Sequence, residues 1–440
     1  MKGVMAQRAT FDLLVVGADA AGFAAAAAAN RLGGRAVIVR AGPEPRAAGL
    51  RPSPPNFVWR LLDLHRFDLK TIDAGRTLSH LPEGDTVATS ADAMRTARAL
   101  LQRDPSLEHL WPDFVDSMAR AREALIAPQT DDRSDKARNA DAGPKGLALV
   151  DAPYACANDI LEDRFSDEGL RAHLLMMTAA PLGLAGDEPG SAAALFDYDA
   201  AAPTQRIDAE ALEEAIAAAA KDAGVVVEDR KFVSLSRGAD RQWTLRLEDD
   251  SEIRAARAIA SSAIVAEAAG FLVDAGGSPL RRQAGVEATI RLRYGKKPRV
   301  KAGEGAVTHH ILADRRALSR ARDAMLEGRI DDQIPLSFEI SGREIIARAP
   351  FAPAKIRDNG AMRDWTGQDL QILARQAAAA IGRRLDPDCG APVSIDATLG
   401  PDAGAGLRLR DFSAAPLRAP APSVDAVGAA TALAMQMMRS

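Results

Sequence analysis

The stretch FDLLVVGADAAGFAAAAAANRLGGRAVIVRAG, residues 11–42, carries the reading of the fold. FDLLVVG is an unbroken apolar run closed by a glycine, the pattern of a parallel strand covered on both faces. An alanine-rich helix is expected from about Gly22 to Leu32, and AVIV, residues 36–39, reads as a second parallel strand. Strand, turn, helix and strand in this order make the βαβ unit that carries the G-x-G-x-x-G phosphate-binding fingerprint.

Here the fingerprint is Gly17-Ala18-Asp19-Ala20-Ala21-Gly22. Gly17 remains for the tight turn and Gly22 for close helix–strand packing, but the middle glycine, which lets the backbone approach a pyrophosphate, has become Asp19. Its carboxylate is expected to cap the helix N-terminus that would otherwise receive an anion. A phosphate about 5 Å away, at an effective dielectric near 20, would be repelled by about 3 kcal/mol, more than a hundredfold in affinity.

The second determinant of such a unit is an acid at the end of the second strand, which holds the ribose hydroxyls. That position is Arg40, so a base stands where an acid is expected. One expectation is that Asp19 and Arg40 pair across the crevice and occupy the adenosine–pyrophosphate site. The alternative is a solvated strand-end arginine. A third reading, a receiver for the 2′-phosphate of NADP, conflicts with Asp19, beside which any dinucleotide must place its pyrophosphate.

Composition bounds the rest. The 440 residues allow about three domains, or two interleaved ones. With 47% hydrophobic but only 4% aromatic residues, most helices should pack through small side chains. A net charge of −4, from 56 basic and 60 acidic residues, leaves no footprint for nucleic acid. Cys156 and Cys389 lack the spacing of a zinc site or a redox dithiol and read as structural thiols in a reducing compartment. The six histidines include one adjacent pair, His309-His310, and form no ligand pattern, so no metal is expected. Lys2 and Arg8 before an apolar run resemble a secretory signal, but Asp12 and Asp19 interrupt it and it continues into the second strand. A cytoplasmic location is the expectation.

Further along, Ser90 to Ile126 reads as helical, and QTDDRSDKARNADAGPKG, residues 129–146, as a flexible polar loop. IDAEALEEAIAAAAKDAGVVVEDRKFVSLS is a helix ending near Gly224 followed by strands. WTLRLEDDSEIRAARAIASS is a hairpin with a final buried strand. This order resembles the phytoene desaturase-like branch of the FAD-dependent amine oxidase superfamily, over most of the chain. The resemblance implies an α/β fold: a doubly wound, Rossmann-like FAD/NAD(P)-binding domain interleaved with an α+β substrate domain. The first would comprise residues 8–80, 200–285 and 395–440, the second 81–199 and 286–394. In the second, VEATIRLRY, LSFEISG and REIIARAPF look like antiparallel strands.

The same resemblance exposes departures. Where the family has a glycine pair approaching the flavin, this chain has Thr204, Gln205 and Arg206; where it has a glycine-rich turn into the last helix, this chain has Pro420 and Pro422, with Ser423 as the expected helix cap. Proline removes a backbone donor and adds a ring. With Asp19 and Arg40, four flavin contacts are altered together. The expectation is a degenerate member, a pseudoenzyme that binds no cofactor, keeps Gly17, Asp19, Gly22 and Arg40 as a vestigial or altered site, and serves as a binding or assembly subunit. Its partner would be a protein or an apolar small molecule. The competing expectation is an active FAD-dependent desaturase or oxidoreductase acting on an isoprenoid or lipid-like substrate.

No catalytic constellation stands out elsewhere. His309 and His310 read as structural, and Tyr198 and Trp365 as core anchors or pocket walls. Met176 and Met177 read as core, while Met435, Met437 and Met438 could meet the core, a partner or lipid. RLRYGKKPRV, residues 291–300, is the most basic patch, read either as peripheral membrane contact or as a guard on a sheet edge.

Overall fold

The computed structural model describes residues 9–40, 49–130, 155–189, 191–196, 198, 202–230, 232–238, 240–261, 273–274, 285–301, 306–314, 316–399, 417–418 and 426–439. The expected loop 129–146, apart from its first two residues, lies outside these, as do Pro420, Pro422 and Ser423.

The strand Ala9–Val16 lies at the centre of the first sheet, between Glu252–Ala260 and Ala36–Val39, and runs parallel to both. Leu13, Leu14, Val15 and Val16 are wholly buried, because helices cover both faces of a parallel sheet. The parallel order continues outward to Val226–Glu228 on one side and to Leu417–Arg418 and Val273–Asp274 on the other. The antiparallel ribbon Phe232–Arg237 and Trp243–Leu247 joins it through Glu252–Ala260.

The helix Ala20–Arg31 crosses this sheet, and Ala24 to Ala29 have no exposed surface. Such small side chains let two further helices approach it closely, Ala209–Asp222 and Ala426–Arg439. Met437 is buried in the same core, and Met435 and Met438 pack against it, so the methionine-rich helix covers the sheet domain. Gly34 is the counterpart of that packing: a Cβ there would stand 2.4 Å from Met438 Cε.

The second sheet has seven strands in the order Ser394–Leu399, Gly285–Arg293, Glu344–Pro353, Leu336–Ser341, Ala306–Ile311, Arg76–His80 and Thr86–Ser90. All neighbours are antiparallel except Ala306–Ile311 with Arg76–His80. Hydrogen bonding thus draws Arg76–His80 and Ser394–Leu399 into this sheet, although the expected boundaries group most of these residues with the nucleotide-type segments. The strand carrying Arg291 and Arg293 lies inside the sheet, between Ser394–Leu399 and Glu344–Pro353, so it guards no edge. Ile290, Leu292, Phe338 and Ala347 on one face pack against Leu373, Ala377 and Ile381 of the helix Gly367–Gly382. A capping box of Thr366 and Asp369 fixes where that helix begins. A small sheet of Leu50–Pro52, Gln205–Asp208 and Thr71–Asp73 completes the arrangement. The architecture is the expected α/β one, a doubly wound Rossmann-like domain interleaved with an α+β domain.

The turn after the first strand sets the distance between sheet and helix. Gly17 has φ +106°, a backbone conformation that side chains resist, and its N–H donates to Val39 O at 2.9 Å. A Cβ on Gly22 would lie 2.0 Å from Gly17 O. Gly22→Ala is therefore expected to cost about 3 kcal/mol in urea unfolding. Gly33→Ala, strained at φ +89° but in open space, should cost only about 1 kcal/mol.

Candidate functional site

The strand ends and the helix N-terminus form the crevice in which this architecture receives a dinucleotide. Asp19 fills that position as the N-cap: Oδ1 accepts from Gly22 N at 2.8 Å and Oδ2 from Ser261 Oγ at 2.9 Å. Ser261 follows the strand Glu252–Ala260, and its own N–H donates to Val16 O at 2.9 Å. One carboxylate thereby ties the first turn of the helix to two neighbouring strand ends. Asp19 lies deep in the protein although solvent still reaches part of it. Burial raises its pKa, and the hydrogen bonds from Gly22 and Ser261 and the charge of Arg51 act in the opposite direction. Arg51, on the strand Leu50–Pro52, has an exposed side chain whose charge acts on Asp19.

Arg40 does not reach Asp19. Val39 pairs with Glu228, so Arg40 emerges beside Asp229, and its Nε donates to Asp229 Oδ1 at 2.9 Å on the protein surface. Strand register accounts for this difference from the expected pair, since the chain after Val226–Glu228 offers an acid nearer than the crevice does. An exposed pair of this kind contributes about 0–1 kcal/mol. Gly17 and Gly22 keep the turn and the close packing of the fingerprint. The Gly22 N–H at the helix N-terminus, where such a fingerprint receives an anion, already donates to the Asp19 carboxylate.

A second polar region lies on the face of the seven-stranded sheet opposite the helix Gly367–Gly382. Arg206 Nη1 donates to Glu339 Oε1 at 2.6 Å, and both side chains are buried. Glu339 Oε1 also accepts from Thr308 Oγ1 at 3.3 Å, and Oε2 from Leu50 N at 3.0 Å. The residue standing where a glycine pair was expected thus bridges the small sheet to the large one. Desolvation lowers the Arg206 pKa, opposed by Glu339.

Four of the six histidines gather at one end of this sheet. The parallel pairing of Ala306–Ile311 with Arg76–His80 brings His309 and His80 to one face, where His80 Nε2 and His309 Nδ1 are 3.2 Å apart and both rings stack on Phe338. On the other face His310 meets the edge of His173, whose ring nitrogens bond Ser79 Oγ at 2.7 Å and Thr89 Oγ1 at 2.8 Å. Burial drives all four toward the neutral form: His80 and His309 to about 4, His173 to about 3, and His310 well below its ordinary value. The pair His309-His310 was visible in the sequence, but its convergence with His80 and His173 was not. That convergence depends on a strand pairing between distant segments, for which periodicity carries no signal. Among the described residues no three side chains converge as metal ligands.

The remaining candidates are structural. Tyr198 packs against Trp111 and Phe114, Met176 and Met177 lie in the same core, and Trp365 Nε1 donates to Pro353 O at 2.8 Å. Cys389 is buried and Cys156 half-buried, and neither is in a disulfide. No helix among the described residues is long and apolar enough to cross a membrane.

No protein-family model matches this chain, and no curated protein does. The fold nevertheless has solved counterparts. A putrescine oxidase variant from a structure-based redesign of cofactor binding superimposes with a TM-score of 0.54 at 14% identity, covering 99% of this chain and 100% of that one. The wild-type putrescine oxidase bound to putrescine gives 0.54 at 13% identity, covering 98% and 99%. The cyclohexylamine oxidase of Brevibacterium oxydans gives 0.52 at 14% identity, with the same coverage. At such identities the likeness is one of fold.

Two outcomes follow from the buried polar groups. Glu339→Gln leaves the Arg206 charge uncompensated and should cost about 3 kcal/mol, much of which the double variant with Arg206→Gln recovers, as read by chemical denaturation. The histidines bind protons in the unfolded chain near 6.5 but not in the native protein until about 4 or below. Stability is therefore full above pH 6.5 and falls as the pH is lowered from there towards 5, by about 1 kcal/mol per pH unit for each histidine. Urea titrations at stepped pH measure this slope, and His309→Phe should reduce it by one histidine's share.

Proposed function

We propose that this chain keeps the scaffold of the FAD-dependent amine oxidases without binding FAD, and works as a binding or assembly subunit rather than as an oxidoreductase. One observation carries the reading: the Asp19 carboxylate already holds the Gly22 N–H at the helix N-terminus and the Ser261 hydroxyl at the neighbouring strand end. A phosphate entering there would displace a cap worth about 1 kcal/mol and meet a like charge. A fold shared at 14% identity does not by itself supply an activity.

A second reading, an active FAD-dependent oxidoreductase, is favoured by Arg51. Its guanidinium is close enough to Asp19 to act on that carboxylate and could offset part of the repulsion. The phytoene desaturase-like assignment belongs with this reading and would bring an isoprenoid or lipid-like substrate.

The visible absorption spectrum of the purified protein, with acid-released flavin measured by fluorescence, separates the two. The expected result is a colourless protein that takes up no added FAD. Asp19→Gly should then gain measurable FAD affinity, while Asp19→Asn, which removes the charge but keeps the cap and the bulk, should gain less. A flavin content near one equivalent in the wild-type protein would overturn the proposal.

A further inference from the structure

Two buried polar side chains, one on the seven-stranded sheet and one reaching it from the small sheet, hold nitrogens with no hydrogen-bond partner among the described residues. They are Nδ1 and Nε2 of His310 and Nε of Arg206. His310 is 4% exposed and Arg206 7%. Both belong to one strip: Thr308, two residues before His310 on the same strand and facing the same side, donates to the carboxylate that holds Arg206.

Their neighbours are already committed. His173 spends both ring nitrogens on Ser79 and Thr89, so it offers His310 only a ring edge. Glu339 divides its oxygens among Arg206 Nη1, Thr308 Oγ1 and Leu50 N. Buried nitrogens are rarely left in this condition, and a group of them on one strip is a recognition pattern in search of its complement. The pattern is donor-rich: Arg206 Nε–H can only donate, and a neutral imidazole supplies one N–H and one acceptor. Arg348 stands in register with His310 on the same face, one strand beyond Ser337, and adds positive charge.

We propose that Arg206 and His310 form a recognition site for a small carboxylic acid, one oxygen accepting from Arg206 Nε–H and the other from the imidazole N–H. The inference rests on the binding-protein reading above and sharpens it, replacing the expected apolar ligand with a polar, anionic one.

The test uses the full chain carrying isotope-labelled histidine, with acetate as the probe and acetamide and sodium chloride at matched concentration as controls. Acetate should shift the His310 ring resonance saturably, that resonance being identified by its loss in His310→Phe, while acetamide and chloride should not. Arg206→Lys, which keeps the charge beside Glu339 but removes Nε, should weaken the response at least about tenfold. His310→Phe and His310→Leu should melt no lower than the parent without probe, because they remove polar atoms that the protein does not pair. Absence of a saturable shift up to about 100 mM acetate, where a dissociation constant in the millimolar range would already saturate, overturns the proposal. So does an equal response to chloride, or a lower melting temperature in both His310 variants. Flavin is assayed on the same preparation: a yellow protein that responds to acetate refutes the FAD-free reading alone, and a colourless one that does not respond refutes the carboxylate site alone.

Discussion

The approach of Gly22 to the carbonyl of Gly17 is the contact on which the first domain depends. With 2.0 Å between that oxygen and the place a Cβ would take, only glycine lets the helix sit this close to the strand end. The six consecutive alanines that follow extend the same geometry, since small side chains keep the helix axis low over the sheet and admit two more helices against it. Asp19 is a consequence of the same turn. It stands at the first position that can cap the helix, and the short distance to Ser261 lets it fasten the strand end as well.

The second domain is organised differently. One face of its sheet is an ordinary apolar core against a helix, while the other carries Thr77, Ser79, Thr308, His310, Glu339 and Arg348 in register across four strands. Charges and imidazoles are held there out of water by one another. Part of the layer is tightly specified, because Thr308, Glu339 and the Nη1 end of Arg206 are satisfied only if their neighbours are in place. It also explains why Arg206 stands on a strand that elsewhere in this architecture was expected to be glycine-rich: its partner Glu339 is on the other sheet, and the pair fixes how the small sheet lies against the large one.

Much of the first domain was legible in the residues. The strand ending at Gly17, the helix after it and the strand Ala36–Val39 stand where the pattern of apolar runs and glycines puts them, because local periodicity and turn chemistry determine them. The cap by Asp19 was legible for the same reason. The partner of Arg40 was not, since it depends on which strand lies beside residues 36–39 and in what register. The polar strip was invisible for a related reason: Thr308, His310, Glu339 and Arg206 come from three separate segments, each of which reads alone as an ordinary strand.

The packing of Ala426–Arg439 against Ala20–Arg31 has a consequence for how the protein is made. The alanine surface of the fingerprint unit is covered by a helix translated almost four hundred residues later, which at cellular elongation rates is a delay of roughly tens of seconds. During that interval the first strand also lacks its parallel neighbour Glu252–Ala260. The nascent chain therefore carries an unfinished, apolar α/β unit through most of translation.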